Sequence, residues 1–288
     1  MPMHTWRRTL PIRHRHDWGT GVTVQSGIDG LATKWGIDLS LQTTVQGAID
    51  QLQGVIQADF TGVVEVKTAL DLLWAQDLPS ATLLFTDQDN NNSGLSVYTF
   101  VGVDIGAEAA DRFVVICAGG RVGRVILTVT VAGVACTLVN QVLQGGNNQY
   151  SDIWLSSVPI PTGLTATVVL DFGSFSPNRL AMAAYRLTGS TGVPIDSGVT
   201  ESNAAGDNTI LLNVPERGAV LGYSYNSGAS AYTWTGALED FDNAPPGSGN
   251  WHSGASETVP VADAARAITN NPASSGARTD VACSFGPA

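Results

Sequence analysis

The chain is poor in cysteine: Cys117, Cys136 and Cys283 are odd in number and far apart, which excludes a disulfide framework and leaves no zinc spacing. Each lies in an apolar run, so the three read as free buried thiols of a chain folded in a reducing cytosol. Charge is scarce as well, at 14% of residues, and the net −11 is unevenly spread. Residues 1–16 carry Arg7, Arg8, Arg13 and Arg15 and no acid, a contribution of +4 that leaves −15 on the other 272 residues. A body that acidic is not built to hold nucleic acid. No apolar segment follows Arg7-Arg8 before His14, so an export signal is not expected. Residues 125–145 form the one long uncharged, largely apolar stretch. Its β-branched run Val125–Val131, the turn pair Ala132-Gly133 and the polar Asn140 and Gln141 predict a hairpin there and no membrane insertion.

What the chain has is repetition. Val24-Gln25-Ser26-Gly27-Ile28-Asp29-Gly30-Leu31 recurs as Val45-Gln46-Gly47-Ala48-Ile49-Asp50-Gln51-Leu52 and as Val66-Lys67-Thr68-Ala69-Leu70-Asp71-Leu72-Leu73, at a step of 21 residues. Units of 17–37, 38–58 and 59–79 follow. Apolar residues at i, i+3, i+4 and i+7 make each octet one face of a two-turn helix, and Thr23 and Thr44 stand at the N-cap, a place Glu65 fills less well. Helices so short do not persist alone in water. Their apolar faces, Val24, Ile28 and Leu31, Val45, Ile49 and Leu52, Val66, Leu70 and Leu73, are therefore expected to pack on neighbouring units or on other subunits, as an oligomerising stalk. The basic arm 1–16 ahead of them, with His4, His14 and His16, is expected to lie against a partner.

After Pro79 the texture changes. With 32 glycines, 13 prolines and many Val, Thr and Ser, the chain becomes a succession of short alternating segments, at 81–86, 95–103, 112–118, 124–131, 134–140, 150–157, 164–172, 179–188, 208–214, 218–225, 231–238, 257–262 and 280–285. The expected fold is mostly β: a short repeat stalk of helical turns and short strands, followed over 80–288 by an antiparallel β-sandwich, with a jelly roll as one arrangement and the last strand pairing near the first.

The motif Thr44-Val45-Gln46-x-Ala48-Ile49-Asp50-x-Leu52 resembles the short repeats in the stems and virion-proximal parts of tailed-bacteriophage fibres and spikes. Gly102–Ala107 with Ala110–Val115 is similar in texture to domains of phage structural proteins. The third repeat departs from the pattern at Glu65 and Lys67. The resemblance implies a homo-oligomeric virion protein, such as the head spike of a phage or of a phage-like gene transfer agent, that contacts the host surface.

Sites for chemistry are few. Outside the arm the only histidine is His252, in what reads as a loop, Gly249-Asn250-Trp251-His252-Ser253-Gly254, and there is no Gly-x-Ser-x-Gly elbow. Asp87, Asp89 and Asn91 alternate as calcium ligands do, but the glycine comes two places late and Tyr98 stands where a glutamate is needed, so a polar inter-strand loop is the plainer reading. Glu239, Asp240 and Asp242 raise the question of a capsule-degrading glycosidase without supplying its spacing. Aromatics crowd between 223 and 251 among acids and amides. Trp251, Trp234, Tyr232, Asp242, Asn243 and Asn250 have the composition of a sugar-binding surface, ring faces for C–H patches and polar groups for hydroxyls. Trp234 fits a strand core equally well, whereas Trp251, between glycines, is expected to be exposed.

The expectation is a non-enzymatic virion surface protein, made in the host cytoplasm and free of cofactors. It would be attached through its N-terminus to capsid or tail proteins as a trimer or pentamer, and would bind host capsular or envelope polysaccharide through the β domain. A decoration protein that stabilises the particle and recognises nothing is the alternative, and the glycosidase the third reading.

Overall fold

The chain divides into two compact units, Met1–Leu78 and Pro79–Ala288. The computed structural model describes residues 79–121, 124–145, 149–204, 206–228, 231–244, 249–273 and 276–288. The arm with Arg7, Arg8, Arg13 and Arg15, and the repeats with their apolar faces, lie outside the described residues.

The described residues form antiparallel β structure without a helix: β1 (Thr82–Asn91), β2 (Val97–Asp104), β3 (Phe113–Arg121), β4 (Thr128–Val131), β5 (Val134–Gln144), β6 (Gln149–Ser156), β7 (Thr165–Asp171), β8 (Asn178–Thr188), β9 (Ser190–Ser202), β10 (Asn208–Val214), β11 (Gly218–Asn226), β12 (Tyr232–Thr235), β13 (Leu238–Asn243), β14 (Trp251–Val259), β15 (Asp263–Pro272) and β16 (Arg278–Pro287). They make an eight-stranded sheet, β1-β8-β3-β6-β5-β4-β7-β2, a five-stranded sheet, β13-β14-β11-β16-β9, and a three-stranded sheet, β10-β15-β12. The hairpin expected at 125–145 is β4–β5, turning at Ala132-Gly133 with φ of 52° and 78°.

Alternation along the strands shows how the sheets stack. One face of β3, β6 and β8 (Ile116, Trp154, Met182) packs on β2, β4 and β7 (Tyr98, Val129, Leu170), so the eight-stranded sheet folds over on itself at the β4–β5 hairpin. The other face of β3, β6 and β8 (Cys117, Ile153, Tyr185) packs on β11 and β16 of the five-stranded sheet (Tyr223, Cys283). The far face of that sheet (Val220, Ala282) meets Ile210, Leu212 and Ile268 of the three-stranded one. Four layers thus enclose three cores, where a single two-layer sandwich was expected. β3, β6, β11 and β16 are buried almost throughout, while the outer strands β2, β7 and β10 keep a one-in, one-out pattern. The last strand, β16, pairs with β11 and β9 rather than near β1, so the domain does not close on its first strand.

The two inner sheets are in tight contact at Gly119, where an added Cβ would stand 2.7 Å from Tyr225 Cβ. Gly119→Ala is expected to cost about 1–3 kcal/mol by overpacking, read as a lower urea midpoint with an unchanged m-value. An unchanged midpoint would mean that the seam can open at no cost. All three cysteines are free; Cys117 and Cys283 are buried, and burial pushes the half-buried Cys136 thiol up to about 12. No helix among the described residues is long and apolar enough to cross a membrane.

Candidate functional site

Antiparallel pairing gathers the loops at two ends. At one end stand Arg121, Gln149 and Asn178 of the eight-stranded sheet, Asn226, Trp251 and Arg278 of the five-stranded sheet, and Asn208 and Asn270 of the three-stranded sheet. Ser151 Oγ lies 2.9 Å from Thr279 Oγ1, and Gln144 Nε2 donates to Ser202 O and Asn203 Oδ1 at 3.0 Å each, joining the two larger sheets at this end. The described unit begins at the opposite end, where Ala81 N donates to Arg217 O and Ala288 N to Gly189 O. Asparagine recurs at the end of Arg121 and Trp251 because its amide holds turns. Asn91 Oδ1 accepts from Ser93 N, Asn226 Oδ1 from Gly228 N, and Asn92 Oδ1 from Arg179 N.

Four of the sugar-binding candidates meet at the corner of β12, β13 and β14. Trp234 stacks on Tyr232 with centroids 6.5 Å apart and planes at 22°, and donates its indole N–H to Ser253 Oγ at 2.7 Å. Asp242 Oδ2 accepts from Tyr232 N at 2.9 Å, and Asn243 lies across from His252. Trp251 opens β14 opposite Asn226 and is half-buried rather than exposed. Two members have their polar groups engaged within the protein. Tyr232 is buried with its hydroxyl 3.1 Å from Ser224 Oγ, and Asn250 is buried on the other side of the sheet, donating to the Tyr225 hydroxyl at 2.6 Å. Trp234 packs against the third core, close over Gly222.

Residues 249–254 are not a loop beyond Asn250: β14 begins at Trp251, so His252 is a buried strand residue. Its ring lies 5.0 Å from Phe241 and its Nδ1 is 3.4 Å from the Tyr223 hydroxyl, and desolvation lowers its pKa to about 3. That holds it neutral. Asp87, Asp89 and Asn91 are on β1, not in a loop. Asp87 Oδ1 accepts from Gln88 N and Oδ2 from Asp104 N, and Asp89 Oδ1 accepts from Asn90 N, so these oxygens are taken up by backbone. No cluster of three metal-ligating side chains occurs among the described residues. Burial lifts Asp240 and Asp242 each to about 6. Asp240 occupies the bulge of β13 and turns to the Tyr185 and Ser256 hydroxyls in the middle core, while Asp242 turns to Tyr232. Carboxyls on opposite faces of one strand do not form the facing pair that glycoside cleavage needs.

Two polar groupings had no signal in the sequence. Between the five- and three-stranded sheets, Asp280 is fully buried, 3.3 Å from Arg278 Nε, and accepts from Asn208 Nδ2 at 2.5 Å, Asn270 Nδ2 at 2.8 Å and Ser224 Oγ at 2.5 Å. Burial raises its pKa; Arg278 and the three donors oppose the rise. Across the seam of the inner sheets, the Tyr225 hydroxyl donates to Arg179 O at 2.6 Å and feels the charges of Arg179 and Arg121.

No protein-family model matches the chain, and no characterised protein sequence does. Among solved structures, the crystal structure of the PBSX exported protein XepA aligns with 70% of this chain and 86% of that one, at 8% identity and a TM-score of 0.19. A likeness at that score carries no argument.

Proposed function

We propose that the chain is a non-enzymatic surface component of a phage or phage-like particle, a spike or fibre that joins the particle through its N-terminal arm and repeats as a homo-oligomer. Its layered β body, a tandem of sandwiches in this reading, engages polysaccharide of the host envelope. One observation carries the assignment of the contact face: the body has two unlike ends, one that holds Ala81 and one where asparagines and Trp251 gather. Rings and amides held on strand ends can meet a flat, hydroxyl-rich ligand with little ordering cost. The resemblance of the repeats to phage stems supplies the particle.

Trp251→Ala is expected to weaken adsorption by about 1–3 kcal/mol per site, amplified by multivalent display. The comparison is between wild-type and variant particles on encapsulated and capsule-free hosts, with the two proteins first matched in melting temperature. Equal adsorption of both variants to the encapsulated host would remove Trp251 from the contact, and equal adsorption of wild type to both hosts would remove the polysaccharide. Fragile particles with normal adsorption after deletion of the chain would favour a decoration protein instead.

A further inference from the structure

Residues 79–288 hold eight arginines and no lysine. Most of these guanidinium groups have work within the protein. Arg112, Arg186 and Arg266 donate to backbone carbonyls, Arg278 faces Asp280, and Arg124 lies 4.4 Å over the Phe175 ring. Arg121 and Arg179 differ: neither has an ion-pair partner among the described residues, although acids outnumber cations in this body. They are also neighbours. Arg121 ends β3 opposite Asn178, the residue before Arg179, and both charges reach the Tyr225 hydroxyl from the side of the eight-stranded sheet. Two like charges set side by side repel.

One further observation points to an occupant. Gln149, directly across from Arg121 on β6, is fully buried and neither atom of its amide has a hydrogen-bond partner. Directly opposite residues on one sheet face are within side-chain reach. Arg179 also has φ of 58°, a left-handed backbone that a non-glycine residue adopts at a cost, and it is held there by Tyr225 at its carbonyl and Asn92 at its amide.

We infer that the mouth of the seam between the two inner sheets, formed by Arg121, Arg179, Gln149 and Tyr225, is a binding site for the carboxylate of an acidic sugar. Guanidinium forks match a carboxylate in plane and charge, and the unpartnered Gln149 amide N–H supplies a third donor. The inference rests on the polysaccharide reading and narrows it to uronic-acid-bearing chains.

The test is titration calorimetry of the full-length protein with oligogalacturonate and with a neutral dextran of equal length, at two salt concentrations. Wild type is expected to bind the acidic oligomer more weakly at higher salt, and the dextran weakly or not at all. Arg121→Gln and Arg179→Gly are each expected to reduce affinity about tenfold or more, the loss of one charge-assisted contact. Glycine at 179 relieves the backbone, so that variant melts no lower than wild type. Arg217→Gly is the control, since its φ is also 58° but it lies at the opposite end, and its affinity is expected to equal wild type. Unchanged affinity in both seam variants would overturn the site. Dextran binding as tight as oligogalacturonate, and insensitive to the arginines, would overturn the acidic site while leaving the polysaccharide reading in place; binding of neither oligomer would overturn both.

Discussion

Asp152→Asn is expected to raise the melting temperature at pH 8 by roughly 3–10 °C, the equivalent of about 1–3 kcal/mol in a domain of this size, and to leave it near wild type at pH 3. Asp152 is fully buried on the β6 face that lines the first core, between Tyr150 and Trp154. Burial drives its pKa well above the usual carboxylate range, and the Trp154 indole and the Ile126 amide offset only part of the rise. A raised folded pKa means that the folded state holds the proton more tightly. Below about pH 4 both states are protonated and nothing is lost. As pH rises past that value the unfolded chain ionises while the folded one resists, so stability falls until the folded pKa is reached. Asp240 and Asp242, each at about 6, add to the fall between about pH 4 and 6. His252 acts in the opposite sense: with a folded pKa of about 3, it removes stability as pH drops below about 6.5. Asparagine keeps the shape of Asp152 without its titration, so the difference between variant and wild type isolates this one group. A variant no more stable than wild type at pH 8 would show that the carboxylate is ionised and paired.

Asp280→Ala is expected to destabilise by about 3–5 kcal/mol, because it strands a buried guanidinium. Arg278 and Asp280 are 1% and 2% exposed at their side chains, and the carboxylate also receives Asn208, Asn270 and Ser224. Removing the acid leaves these donors facing one another. The double variant Arg278→Met with Asp280→Leu is expected to recover most of the loss, since an apolar pair of similar volume has no charge to desolvate. Urea denaturation of the single and double variants measures both; a double variant as unstable as Asp280→Ala would make the remaining amides, not the ion pair, the origin of the cost.

Strand content could be read from the sequence where a strand has one wet face or a long β-branched run. β2, β7 and β10 alternate, and β4–β5 carries its own turn. Three strands were not legible, for separate reasons. β9 contains Gly192, Pro194 and Gly198, which read as loop; at the sheet edge a proline lacks no ladder partner, so the strand tolerates it. β15, Asp-Ala-Ala-Arg-Ala-Ile, has the composition of a helix and is drawn into the sheet by β10 and β12 on either side. β13 is acidic and bulged, an edge strand whose ladder partner is β14. The stacking escaped for a deeper reason. A two-layer fold and a four-layer fold place apolar residues on the same strands, and only the burial of both faces of β3 and β11 separates them. As for the candidate site, composition located the region of Trp251 but not its depth. Tyr232 and Asn250 carry groups suited to a sugar, yet Ser224 and Tyr225 occupy them from distant points of the chain. Arg121 and Arg179 stand 58 positions apart, with nothing in either neighbourhood to mark them as a pair.

The middle core has a consequence for biosynthesis. Its two walls come from different halves of the body, Val115, Ile153 and Tyr185 from the first and Leu221, Tyr223 and Phe285 from the second. A ribosome delivers the first wall long before β11 and β16 exist to cover it. Until then the nascent chain presents a broad, flat, uncharged sheet face to solvent, the kind of surface that recruits chaperones or sticks to another nascent chain. Nearly all the contacts that bury it are distant in sequence, which makes their formation slow. A chain released after residue 188 would be sticky, and the yield of intact protein would depend on how quickly the last hundred residues arrive.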